Sequence, residues 1–283
     1  MKTIKEELTT CLQAGPGAAA RQAKGFTAAA PAPSRWQLLT IRASVDWLKA
    51  YSLSGVWYLL ARCDLKLRSA RVQHHSPDPD YKRKVFRLKR SLREAARNPR
   101  QVAALFLDEF GYTRWADPAR DWAATTPVAI RNDENNQQWR TIGALNALNG
   151  KVSYLDAYVI GRAKVCQFYD QLNDAYRRFE TVYVIQDNWS IHQHPEVLQA
   201  LANYPRLQPV WLPTYAPWLN PIEKLWRWVR QDVLKLHRCA DEWDELKHRV
   251  RAFLDQFASG SHELLRYVGL QGEGVLAKTI RLA

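Results

Sequence analysis

The chain has 283 residues, 47% hydrophobic and 24% charged, the balance of an ordinary globular protein with room for one large domain and one small one. It has no apolar run long enough to span a bilayer, Lys5, Glu6 and Glu7 break any signal-type core, and Cys11, Cys63, Cys166 and Cys239 lie far apart; the expectation is a cytoplasmic protein with reduced thiols, without membrane span, disulfide frame or zinc site. The net charge of +13 is segregated: residues 1–100 carry 20 Lys+Arg against 7 Asp+Glu and the remainder is neutral, so a basic segment precedes a neutral body, as suits a polyanionic partner.

Residues 1–34, which include AGPGAAARQAKGFTAAAPAPS, predict a flexible or partly helical lead. Residues 35–73 predict a small all-α segment of helix-turn-helix type. Trp36, Leu39, Val45, Trp47 and Leu48 form one apolar stripe. Ser52 then caps a helix that carries Leu53, Val56, Trp57 and Leu60, and Arg62, Lys66, Arg68 and Arg71 follow as a basic tail suited to DNA phosphates. HHSPDPDY reads as a linker. A basic helix comes next, with Val85, Leu88, Leu92 and Ala95 on one face, so 74–100 is linker plus helix.

From 101 to 270 strands and helices alternate. Strands are predicted at 102–110, 140–148 and 151–159, the last two joined at Asn149-Gly150 as a tight hairpin. A helix at 162–178, a strand at 181–188, a helix at 195–203 and a strand at 207–213 follow. Another helix opens near Asn220-Pro221, and two more cover 241–258 and 261–269. This order predicts an α/β domain of RNase H-like type, a mixed five-stranded sheet with helices on both faces.

Three acids stand out. Asp108 ends an apolar strand and shares a face with Phe106 and Phe110, while Glu109 points the other way and Asp117 lies beyond. A buried carboxylate there needs a partner, and a cation is a natural one. Asp187 follows a nearly continuous apolar strand; Asn188 beside it can orient a carboxylate or a water, and His192 lies in the next turn as a supporting group. Glu223 occupies the first turn of its helix, where the positive end of the dipole favours the ionised form. Arg227 and Arg230, four and seven residues on, share its face and can hold a phosphate strand.

FLDEFGY, QDNWSIHQH and LPTYAPWLNPIEKLWRWVR resemble the three catalytic blocks of the IS630 family of transposases, within the IS630/Tc1/mariner superfamily of DDE enzymes. The resemblance runs over about residues 36–260 and is most specific in the LNPIE block. It implies that Asp108, Asp187 and Glu223 are the catalytic and metal-binding triad, holding two Mg²⁺ (or Mn²⁺) ions. It implies cleavage at transposon ends and strand transfer into target DNA, with terminal inverted repeats and target DNA as partners, a homodimer on DNA and association with a bacterial nucleoid. Residues 1–34 do not resemble the start of the family's DNA-binding region, so a truncated or replaced N-terminal end is expected. Two other readings stay open: a catalytically silent DNA-binding descendant, and an RNase H-like nuclease that only hydrolyses.

Overall fold

A computed structural model describes residues 2–14, 38–67, 75–131 and 136–281. The chain divides into two compact units, Met1–Gln73 and His74–Ala283.

The first unit is helical. It contains α1 (Lys2–Ala14), α2 (Leu38–Ser44), a 3₁₀ turn (Asp46–Ala50) and α3 (Leu53–Arg62). Leu8, Ile41, Val45, Leu48, Val56, Leu60 and Cys63 close its core. Part of the lead is therefore helical and contributes Leu8, while Trp36 lies outside the described residues. Ser52 caps α3 by accepting from the Gly55 N–H at 3.1 Å. Trp57 is 54% exposed rather than buried in the stripe. The inward stripe runs Val56, Leu60, Cys63, and a residue one step from Val56 is turned about 100° away from it.

The second unit holds a five-stranded sheet in the order β3-β2-β1-β4-β5. The strands are β1 (Val102–Thr113), β2 (Gln138–Asn146), β3 (Val152–Ala157), β4 (Thr181–Gln186) and β5 (Leu207–Trp211). β1, β2 and β3 pair antiparallel, and β1, β4 and β5 pair parallel. This is the RNase H-like arrangement expected.

Strand alternation creates two cores. Ala104, Phe106, Phe110 and Tyr112 face α4 (Tyr81–Arg97), α7 (Ile222–Val229), α8 (Trp243–Asp255) and α9 (His262–Val268). Ala103, Leu105 and Leu107 face α5 (Arg162–Ala175) and α6 (Pro195–Ala202). The basic helix α4 buries Leu88, Leu92 and Ala95 in the first of these cores. α10 (Val275–Arg281) covers the same side through Leu276, with no counterpart in the sequence reading.

The β2–β3 connection differs from the tight Asn149-Gly150 turn expected. It spans 147–151, because the Asn146 side chain accepts from the Leu148 N–H at 2.9 Å and starts the turn early. Gly150 still takes the left-handed position, at φ 73°.

Candidate active site

β1 and β4 are parallel neighbours whose pairing stops at Phe106 and Ile185. Two residues further on stand Asp108, still within β1, and Asp187, the first residue after β4, so both acids emerge at the same edge of the sheet, the usual location of ligands in such sheets. Asp108 does not end its strand, as the sequence suggested, since β1 continues to Thr113 along β2. It stands where β1 loses its parallel neighbour.

Alternation sends Asp108 toward α7. There the Trp226 Nε1 donates to Asp108 Oδ2 at 3.0 Å, with its ring stacked on Phe110 at 5.2 Å and 11°. Room for that ring comes from Gly143, which pairs with Asp108 across β1 and β2: a Cβ at 143 would lie 2.6 Å from Trp226 Cη2. Asn220, just before α7, donates to the Leu107 carbonyl at 3.2 Å. Two bonds therefore fasten the start of α7 to β1, and Glu223 in its first turn arrives beside Asp108.

Asp108, Asp187 and Glu223 line a common cavity of about 510 Å³, together with Asn188, Trp189 and Tyr215. Burial, then repulsion from Glu223, Glu109 and Asp187, pushes the Asp108 carboxyl up to about 8. Glu223 is also raised, by burial first and with Asp187 adding, while Arg227 pulls it down. This reverses the sense expected from the helix dipole alone, because desolvation outweighs a terminal half-charge.

Asp187 accepts from the Trp189 N–H at 2.9 Å. Asn188 does not orient that carboxylate. Its Nδ2 donates to the Leu212 carbonyl at 2.8 Å and to Thr214 Oγ1 at 3.3 Å, tying the loop after β4 to the loop after β5. His192 is buried, with Nε2 3.0 Å from Glu109 Oε1 and 3.9 Å from Asp187 Oδ1. The first of these pairs is close but off the line of a hydrogen bond.

Glu109, Asp187 and His192 each place one ligand atom within 4.8 Å of the others. Asp187 thus belongs to two groups, one on each face of the sheet. Glu109 was a weaker candidate in sequence, although alternation already placed it opposite Asp108.

Hard carboxylate oxygens, crowded until one of them retains its proton near neutrality, fit a hard divalent cation such as Mg²⁺ or Mn²⁺.

Arg227 lines a second, larger groove of about 1070 Å³ beside Glu223, with Lys89 and Lys224. Arg230 lies elsewhere. α7 ends at Val229 and a π turn (Arg230–Leu234) follows, with Arg230 itself still in helical backbone at φ −60° and ψ −42°. The Arg230 guanidinium sits 5.0 Å over Phe110, donates to the Gly111 carbonyl at 2.7 Å and pairs with Asp117 at 3.3 Å. In the first unit Arg62 is exposed at the end of α3 and Lys66 pairs with Asp64 at 2.9 Å; Arg68 and Arg71 lie outside the described residues.

The raised Asp108 has a consequence for stability. An acid whose folded pKa exceeds its unfolded value of about 3.9 holds a proton that the unfolded chain releases. Stability of the metal-free protein is therefore expected to fall as the pH rises from about 4 to about 8, through the ionisation of this group. Asp108→Asn should remove that slope in urea unfolding followed across the window. Identical pH profiles for the parent and the variant would mean that Asp108 ionises normally.

Residues 103–247 match the family model described as DDE superfamily endonuclease. Over 134 residues the chain is 31% identical to the insertion element IS630 uncharacterized 39 kDa protein of Shigella sonnei, a match covering 46% of this chain and 39% of that protein. The chain therefore spans well under half the length of that curated relative. Its fold is similar to the crystal structure of the Mos1 mariner paired end complex with Mn, at a TM-score of 0.56 and 16% identity over 90% of this chain and 80% of that one. The Mos1 Strand Transfer Complex gives a TM-score of 0.54 at 16% identity over 90% and 79%.

Proposed function

We propose a DNA-cutting and DNA-joining activity from one premise: the chain belongs to the DDE superfamily of endonucleases. The reading is a transposase that cleaves at the ends of a mobile element and transfers the freed strand into target DNA. One observation carries it, the gathering of Asp108, Asp187 and Glu223 around one cavity beside a groove lined by Lys89, Lys224 and Arg227.

In this reading Asp108, Asp187 and Glu223 hold two divalent ions, Mg²⁺ or Mn²⁺. When bound, such ions activate a water and stabilise the leaving 3′ oxygen. Asp187, whose side chain is exposed and lies within reach of both groups of acids, is the shared ligand. Trp226 fixes Asp108 through one oxygen and leaves the other for the cation. Lys224 and Arg227 hold the DNA phosphates as they approach Glu223. Hydrolysis leaves a 3′-OH, which then attacks a phosphodiester of the target in the same cavity. The paired-end assembly named for Mos1 supports two protomers on DNA here as well.

The division into a 1–34 lead, a 35–73 DNA-binding segment, a 74–100 linker and basic helix and a 101–270 catalytic domain stands as part of this proposal. In it Arg62, Lys66, Arg68 and Arg71 contact DNA, His192 supports the acids from beside Asp187, and Asn188 supports them by tying the loop after β4 to the loop after β5.

The test is Mg²⁺- or Mn²⁺-dependent cleavage of a duplex carrying the inverted repeats that flank the coding sequence, followed by joining of the cut strand to a plasmid. Nicking with joining supports the transposase. Nicking without joining leaves a nuclease that only hydrolyses. Binding without nicking in either metal rejects the catalytic reading.

A further inference from the structure

We infer that Tyr215 is a stacking platform for a nucleobase beside the phosphodiester that is cut. The inference rests on the DNA-cleaving reading above and adds a base-recognition subsite to it.

Tyr215 lines the cavity that holds Asp108, Asp187 and Glu223. Its φ is 53°, in the left-handed region, where an L residue with a large side chain is disfavoured and Gly or Asn is readily accommodated. The residue is 78% exposed. An exposed ring adds little to the core, and the backbone beneath it would relax with a smaller residue. Neither burial nor turn chemistry accounts for a tyrosine here. Uncommon backbone conformations of this kind cluster at sites that clamp ligands.

The turn that carries the ring is firmly held. The Thr214 N–H donates to Asp78 Oδ2 at 2.8 Å, and Ser76 Oγ donates to the Thr214 carbonyl at 2.6 Å. Asn188 reaches Thr214 Oγ1 from the other side, and Asp78 is itself paired with Lys84 at 2.8 Å. Prolines at 213 and 217 flank the loop and limit it further. The ring is thus presented on a base that loses little freedom when a ligand arrives.

The chemistry of the surroundings selects the ligand. The cavity floor is acidic and repels a bare anion until a cation is bound, whereas the flat face of a nucleobase stacks on an aromatic ring whatever its sequence. The phosphates of the same strand are served by the neighbouring groove, which shares Pro217, Asn220 and Glu223 with the cavity. A strand that lies along Lys224 and Arg227 and delivers its phosphate to Glu223 brings the adjoining base to Tyr215.

The experiment uses the full chain and a terminal-repeat duplex with 2-aminopurine placed in turn on either side of the cut. The parent is expected to cut and to quench the fluorophore on one side. Tyr215→Asn keeps the left-handed turn and removes the ring. Its Tm should equal or exceed the parent's, its kcat/KM should fall by roughly ten- to a hundredfold, and quenching should be lost. Tyr215→Phe should restore both. If Tyr215→Asn cuts and quenches like the parent, or if Tyr215→Phe fails as Asn does, stacking by the ring is wrong while the nuclease reading survives. A parent that never cuts in Mg²⁺ or Mn²⁺ removes the nuclease reading itself, and this inference with it.

Discussion

Asp187→Asn is expected to lower metal-dependent DNA cleavage by about a thousandfold or more, while DNA binding in a gel-shift assay stays close to the parent's. The magnitude follows from the several kcal/mol that a bound cation contributes to a phosphoryl-transfer transition state, at about 1.4 kcal/mol per factor of ten. Asp187 is the sharpest of the acids to test because it faces both groups of ligand atoms. On one side it shares the cavity with Asp108 and Glu223, and on the other it lies within reach of Glu109 and His192. The substitution removes one negative charge from an exposed loop that is otherwise held by Asn188, so the fold should be undisturbed. A companion variant, Glu109→Gln, separates the two groups. If Glu109→Gln falls as far as Asp187→Asn and Asp108→Asn does not, the metal site belongs to the Glu109 side. Cutting at the parental rate by Asp187→Asn would exclude Asp187 from the chemistry altogether.

The second large effect is expected at a residue with no functional group. Gly143→Ala places a methyl 2.6 Å from the buried Trp226 ring, which is wedged against Phe110 and cannot swing aside. Overpacking of this kind costs roughly 1–3 kcal/mol, or a fall in Tm of roughly 2–12 °C for a domain of this size. The displaced ring also withdraws its N–H from Asp108, so cleavage should fall along with stability. Trp226→Phe in the Gly143→Ala background separates the two losses. The smaller ring relieves the clash and should recover thermal stability, but it has no N–H to give Asp108 and should leave cleavage low. A Gly143→Ala variant that melts and cuts like the parent would mean that the ring has room the structure does not show.

Much of this site was legible in the chain. The strand and helix order followed from local periodicity, and the three acids were marked by their own surroundings: apolar strands before Asp108 and Asp187, and Asn220-Pro221 before Glu223. What escaped was set by pairing across sequence distance. The register that sets Gly143 opposite Asp108, and so admits Trp226, depends on two strands joined through a long excursion. The approach of His192 to Glu109 depends on which face of β1 meets the loop after β4. The partners of Arg230, the Gly111 carbonyl and Asp117, lie more than a hundred positions away in sequence. Asn188 was read by its neighbour in sequence, while its amide reaches Leu212 and Thr214, more than twenty positions away.

The docking of α7 bears on the order of events during a reaction. Asn220 and Trp226 bind it to β1 on either side of Glu223, so that acid travels with the sheet and not with a separate flap. No closure has to bring the carboxylates together when DNA arrives. The raised Asp108 keeps a proton that a cation would displace, so the gathered acids favour charge over shape: a metal can load before the nucleic acid, with release of that proton.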